Sequence, residues 1–186
     1  MSKLYVDEIF PKDGAKIQAE DLQLPAGSIL QVKHVEYTGL YSSTSATPSD
    51  VAGFSVSITP KSSTSKILVT VDVAIGFAQD AYPYVLLTRN GTSIGTGDTA
   101  TGSRINTFLG GYATNISTMP YRIHHVSKTY LDSPTTDQEL TYQIQFASPY
   151  VGFAGYINRT HADADAVYIQ RPASGITVME VAQVEF

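Results

Sequence analysis

Phe54, Val56 and Ile58 alternate with Ser55, Ser57 and Thr59. Every second side chain shares a face only in an extended chain, so this stretch reads as a half-buried strand and not as a helix. Pro60 ends it, because proline has no N–H to give to a ladder. Lys61 to Ser65 read as a turn, after which Ile67, Val69, Val71 and Val73 repeat the alternation. Val85, Leu86 and Leu87 then lead to Asn90 and Gly91, a pair suited to the positive φ angles of a tight hairpin. Three strands within about forty residues, with no helical period between them, restrict the chain to an antiparallel β fold.

The rest of the chain agrees. Ile29–Tyr37 reads as the first long strand and Gly39–Asp50, rich in Ser, Thr and Pro, as an exposed loop. Gly91–Gly111 reads as loop-rich, with a short strand at Ile105–Leu109. Strands are expected at Tyr121–Leu131, Leu140–Phe146 and Phe153–Arg159, with Tyr168 and Ile169 paired in an otherwise polar loop. From Ile176 to Val184 both alternating faces are largely apolar, as in a central strand. About eight to ten strands at these intervals predict an antiparallel β-sandwich of jelly-roll type over residues 27–186. A single helical turn is allowed in 18–24.

Residues 1–26 form a short extended N-terminal arm in this reading. Leu4, Tyr5, Val6, Ile9 and Phe10 surround Asp7 and Glu8. The arm is too short for a core of its own and too apolar for a purely solvated tail. It either packs back on the domain as a strand or attaches to another chain.

Composition excludes several functions. At 186 residues the chain can bury a sizeable core, and without Cys it has no disulfides, thiolate metal sites or cysteine catalysis. A net charge of −5 argues against duplex nucleic acid, whose phosphates call for clustered Lys and Arg. No apolar run is long enough to span a bilayer as a helix. Acids stand where a signal peptide would have its apolar core, so synthesis in a cytosol is expected.

Candidate chemistry is sparse. His161, Asp163 and Asp165 alternate and would share a face in an extended segment, as for a metal, although the spacing of a calcium-binding loop is absent. A solvated polar loop is the competing reading. His124 and His125 are adjacent, so in a strand they face opposite ways and cannot chelate one ion together; only a symmetry axis could gather copies of one of them. There is no nucleophile elbow, phosphate loop or zinc-protease phrase. Asp72, Asp80, Asp98, Asp132 and Glu139 show no grouping. No enzymatic activity, cofactor or metal is expected. Asn90, Asn115 and Asn158 begin N-glycosylation phrases, which are accidental without a signal peptide.

Tyrosine is the more informative residue. Tyr82, Tyr84, Tyr112, Tyr121, Tyr150 and Tyr156 are interleaved with Asn, Asp, Thr and Gly. Phenol rings can stack on sugar rings while neighbouring amides and carboxylates take hydroxyls; alternatively these are strand residues at sheet rims or between subunits. Loops 39–50, 95–119 and 159–172 would carry recognition. The candidate contact residues are Tyr41, Tyr112, Asn115, Tyr150, His161, Asp163 and Asp165.

Six phrases in order carry a resemblance: Gly53–Pro60, Ser65–Val69, Leu86–Asp98, Tyr130–Pro134, Tyr156–Arg159 and Gly175–Val181. Together they resemble a family of small tail-fibre-like virion proteins of tailed phages, especially marine and cyanobacterial ones, over roughly residues 25–186. In that family, segments similar to Tyr5–Gly14 often precede the domain. The resemblance implies a virion component, most simply a short trimeric tail fibre or receptor-binding tip. Its arm would join other virion proteins, and its loops would meet a host surface polysaccharide or receptor. The layout from Gly53 onward also resembles the trimeric jelly roll of the tumour-necrosis-factor and complement globular-head class. The doubly apolar last strand, in a chain with only 16 % charged residues, points the same way, toward apolar surface shared between copies. Two other readings stay open: a purely structural decoration protein of capsid or tail, and a stand-alone carbohydrate-binding module.

Overall fold

The alternating segments pair as two packed antiparallel sheets. The computed structural model describes residues 25–78, 81–98, 101–110, 121–150 and 152–183. The arm residues Leu4, Tyr5, Val6, Ile9 and Phe10, the 18–24 segment, and the loop residues Tyr112 and Asn115 lie outside these.

Eleven strands occur among the described residues: β1 (Ile29–Tyr37), β2 (Tyr41–Ser43), β3 (Ser49–Ile58), β4 (Lys66–Phe77), β5 (Tyr84–Arg89), β6 (Thr92–Ile94), β7 (Leu109–Gly110), β8 (His124–Asp132), β9 (Leu140–Ala147), β10 (Gly155–Ile157) and β11 (Ser174–Val181). In one sheet β1 pairs β11, β11 pairs β4, and β8 lies on the other edge of β4; β10 and β2 continue the sheet past the end of β11. The second sheet runs β3-β9-β5-β6, with β7 also on β5. The order β1-β11-β4-β8 facing β3-β9-β5-β6 is a jelly-roll arrangement, in which the chain crosses between these sheets at every step except the β5–β6 hairpin.

Period two decides what lies between the sheets. Ile67, Val69, Val71, Val73, Ile176 and Val178 face Phe54, Ile58, Leu87, Tyr142, Ile144 and Phe146, all fully or almost fully buried. Each aliphatic or aromatic side chain so buried contributes about 1.5–3 kcal/mol relative to leaving it in water. Glu180 is also buried on this side. Its carboxylate accepts from Gln31 Nε2 at 2.6 Å and from the Lys61 backbone N–H at 2.7 Å. It thereby fastens β1 and the β3–β4 turn to β11 with charge-assisted bonds.

The structure differs from the expectations at four places. Segment 39–50 is not all loop, because Tyr41–Ser43 pairs with the free edge of β10 and β3 already begins at Ser49. Of the strand expected at Ile105–Leu109 only Leu109 pairs, with Val85, and Gly110 follows it, paired with Tyr84. Tyr168 and Ile169 are unpaired; the Ile169 N–H closes a turn on the Ala166 carbonyl at 3.0 Å. β8 begins at His124 and not at Tyr121. The last strand is central as expected, flanked by β1 and β4.

Candidate functional site

Several loops converge at one end of the sandwich. The Ser148 N–H donates to the Ser45 carbonyl at 2.8 Å, tying the β9–β10 loop to the β2–β3 loop. The Ala78 N–H donates to the Ala154 carbonyl at 2.8 Å and joins the β4–β5 loop to them. The Tyr84 hydroxyl donates to the Ala46 carbonyl at 3.2 Å. Burial pushes this phenol above its ordinary pKa, so it stays neutral as a donor.

Two tyrosine pairs stand on this end. The rings of Tyr82 and Tyr150 lie 5.2 Å apart at 43°, and the side chains are 40 % and 57 % exposed. Phe153 is exposed beside the same loop. Tyr121 and Tyr168 meet edge to face at 5.0 Å, again both exposed. Each pair joins two different loops.

The loop 158–173 supplies the charged part. It leaves β10 at Asn158, a buried residue at φ 60°. The Asn158 backbone N–H donates to the Ala74 carbonyl at 2.9 Å, and its side-chain amide donates to the Tyr37 and Gly39 carbonyls at 2.7 and 3.0 Å. Its side-chain oxygen accepts from Ser174 Oγ at 2.6 Å, and Ser174 Oγ accepts from the Ala74 N–H at 3.0 Å. The loop then crosses Gly76 so closely that a Cβ there would lie 2.0 Å from the Arg159 carbonyl oxygen.

Above this anchor the Arg159 guanidinium sits 4.4 Å from the centre of the Tyr156 ring. The Tyr156 hydroxyl and His161 Nδ1 are 3.2 Å apart. Asp163 pairs with Arg171 and, at 3.7 Å, with Arg159. Asp163, Ala164, Asp165, Ala166, Ile169 and Arg171 line a shallow concavity of about 320 Å³.

The expected sites are thus partly brought together. His161 turns to Tyr156, Asp163 is neutralised by two arginines, and Asp165 is exposed. No group of three metal-ligating side chains occurs among the described residues. His124 and His125 do face opposite ways: His124 stacks on Phe77 at 5.2 Å, and His125 Nδ1 lies 3.2 Å from Asp72 Oδ1 on the outer face. Tyr150 is on the tyrosine end. Tyr41 is on β2, half-buried, its ring edge-on to Phe146 at 6.0 Å and its hydroxyl 2.7 Å from Ser49 Oγ.

Neither a protein-family model nor a curated protein matches this chain. The arrangement itself therefore carries the functional argument. Sequence reasoning missed Phe153, Arg159, Tyr168 and Arg171. Arg159, three residues after Tyr156, was the signal available for the cation–π pair; Tyr168 could not be paired with Tyr121 without the fold. Chemically, the end offers phenol faces flanked by amides, hydroxyls and fixed guanidinium–carboxylate pairs. Such a surface suits a neutral or mildly charged polyhydroxyl ligand, whose ring faces meet aromatic planes and whose hydroxyls meet polar rims.

Proposed function

We propose that this chain is a phage virion structural protein: a short trimeric tail fibre or receptor-binding tip that attaches to the host cell envelope. The observation that supports it best is the pairing of exposed tyrosines from different loops at one end of a rigid jelly roll. The described chain starts at the other end, where the Gly27 N–H donates to the Ala182 carbonyl at 2.9 Å. An arm joined to other virion proteins there leaves the tyrosine end free to meet a surface polysaccharide. The resemblance to tail-fibre-like proteins supports a homotrimer. Three copies would turn weak single contacts into firm attachment.

The test is binding of the full-length protein to a polysaccharide array built from bacterial envelope glycans, alongside sedimentation equilibrium. The expected result is a trimer with selective binding that falls about tenfold or more in Tyr82→Ala and Tyr150→Ala, as for loss of a stacked aromatic contact worth about 1.5 kcal/mol. A trimer that binds no glycan would favour a purely structural virion role. A glycan-binding monomer would favour a stand-alone carbohydrate-binding module.

A further inference from the structure

Loop 158–173 doubles back on itself and leaves a hollow between its two limbs. The Ile169 N–H donates to the Ala166 carbonyl at 3.0 Å and closes the bend. Ala164, Ala166 and Ile169 are the apolar lining of this hollow of about 320 Å³, and Asp163, Asp165 and Arg171 are its charged lining. The volume lies at the small end of ligand sites, which run from about 300 to 1,000 Å³. The loop is seated before any ligand arrives, by the Asn158 hydrogen bonds and by its close passage over Gly76. A site held in this way pays little to order itself on binding.

The charged groups are not equivalent. Asp163 is engaged from both sides, Oδ1 by Arg171 and Oδ2 by Arg159 at 3.7 Å. Arg159 is itself fixed. Its Nε donates to the Thr160 carbonyl at 3.1 Å, one Nη donates to the His161 carbonyl at 3.2 Å, and the guanidinium lies on the Tyr156 ring. Asp165 is exposed and has no hydrogen-bond or ion-pair partner among the described residues. The Arg171 side chain is 47 % exposed and gives one N–H to Asp163, of the five that a guanidinium carries. The hollow therefore offers one acceptor-only group and one donor-only group with capacity to spare, beside an apolar lining.

We infer that this hollow binds one uncharged sugar ring of a polysaccharide, an inference that rests on the reading of this end as the glycan-contacting one. A sugar hydroxyl both donates and accepts, so one can give its proton to the Asp165 carboxylate while a neighbour accepts from Arg171. The C–H face of the ring has Ala164, Ala166 and Ile169 to lie against. Charge selects the class of sugar. Among the groups that line the hollow or pair with its lining, the guanidiniums of Arg159 and Arg171 balance the carboxylates of Asp163 and Asp165. The carboxylate left free is Asp165, which repels a uronate and suits a neutral hexose. A calcium-bridged sugar does not fit, because both oxygens of Asp163 already face arginines and a calcium ion takes about six to eight oxygen ligands. Tyr168 lies between Ala166 and Ile169 in the chain, its exposed ring resting edge to face on Tyr121 at 5.0 Å. It offers an aromatic plane to the next ring of the polymer.

The experiment titrates the full-length protein by calorimetry with dextran and mannan, which are neutral hexose polymers, and with alginate, a polymer of uronates. Asp165→Ala removes the free carboxylate and breaks no contact among the described residues, so its urea unfolding curve should match that of the wild type. The expected result is binding to a neutral polymer that survives EDTA and added salt. It should fall about tenfold or more in Asp165→Ala, as for loss of one hydrogen bond to a charged group. Asp165→Ala that binds like the wild type overturns the inference; a loss in Tyr82→Ala then leaves the tyrosine reading standing. Binding of alginate alone, or loss of binding in EDTA, overturns it as well. So does a wild type that binds none of the three polymers, and the envelope-glycan array then decides the wider reading separately.

Discussion

Arg89 donates from one Nη1 to both carboxylate oxygens of Asp132, at 2.7 and 2.8 Å. Asp132 is almost fully buried and ends β8, whereas Arg89 ends β5 in the opposite sheet. The pair therefore stitches the two sheets at the end away from the tyrosines. Arg89→Met removes the cation and strands the carboxylate. A loss of about 3 kcal/mol is expected in urea unfolding, with part recovered when Asp132→Leu is added.

Tyr142 completes this cluster, donating its hydroxyl to Asp132 Oδ2 at 2.7 Å. Burial, then the hydrogen bond and the negative charge of Asp132, raise its pKa far above 10.0. The fold holds this proton more tightly than the unfolded chain does. The stabilisation is therefore complete below about pH 10 and is lost as pH climbs above it. Tyr142→Phe should cost about 1–2 kcal/mol at pH 7. It should also flatten the alkaline fall in stability between pH 9 and 11, as read by denaturant midpoints.

Gly76 admits the Arg159 carbonyl where a methyl group would stand. Gly76→Ala should push loop 158–173 off the sheet and destabilise by about 2–3 kcal/mol. Faster hydrogen exchange at the Asn158 amide, with β3 and β9 unchanged, would show that the damage is local.

Asn158 combines a left-handed backbone with three side-chain hydrogen bonds. Asn158→Gly loses the bonds and keeps the conformation; Asn158→Ala loses both. The Ala variant should be less stable than the Gly variant by about 1 kcal/mol in matched unfolding curves. Equal stabilities would mean that the hydrogen bonds alone hold the turn.

What the sequence made legible follows from range. Phe54–Ile58 of β3, Ile67–Val73 of β4, and β9 and β11 alternate, and local period two was enough to place these stretches and their core side chains. β2 was not legible, because Tyr41, Ser42 and Ser43 have no pattern of their own and become a strand only against β10. Asp132 showed no grouping in the sequence, since its partners Arg89 and Tyr142 are remote in the chain. The site was legible by residue type only. Tyr150 and Asp163 stood out as polar-loop residues, yet what they touch depends on loops meeting from separate strands. The seat of loop 158–173 depends on Gly76, a residue whose signal is a missing side chain.

β11 lies between β1 and β4 and, last in chain order of the described strands, closes the sheet. On the ribosome, β1 and β4 therefore wait with facing unpaired edges until Ser174–Val181 emerges. A nascent chain stalled before Ser174 would present Ile67, Val69 and Val71 along an open ladder, ready to accept a strand from a sister polypeptide. Copies translated together from one message are thus at risk of exchanging this strand. Translation speed over the codons of β11 should govern how much of the protein is recovered as tangled aggregate.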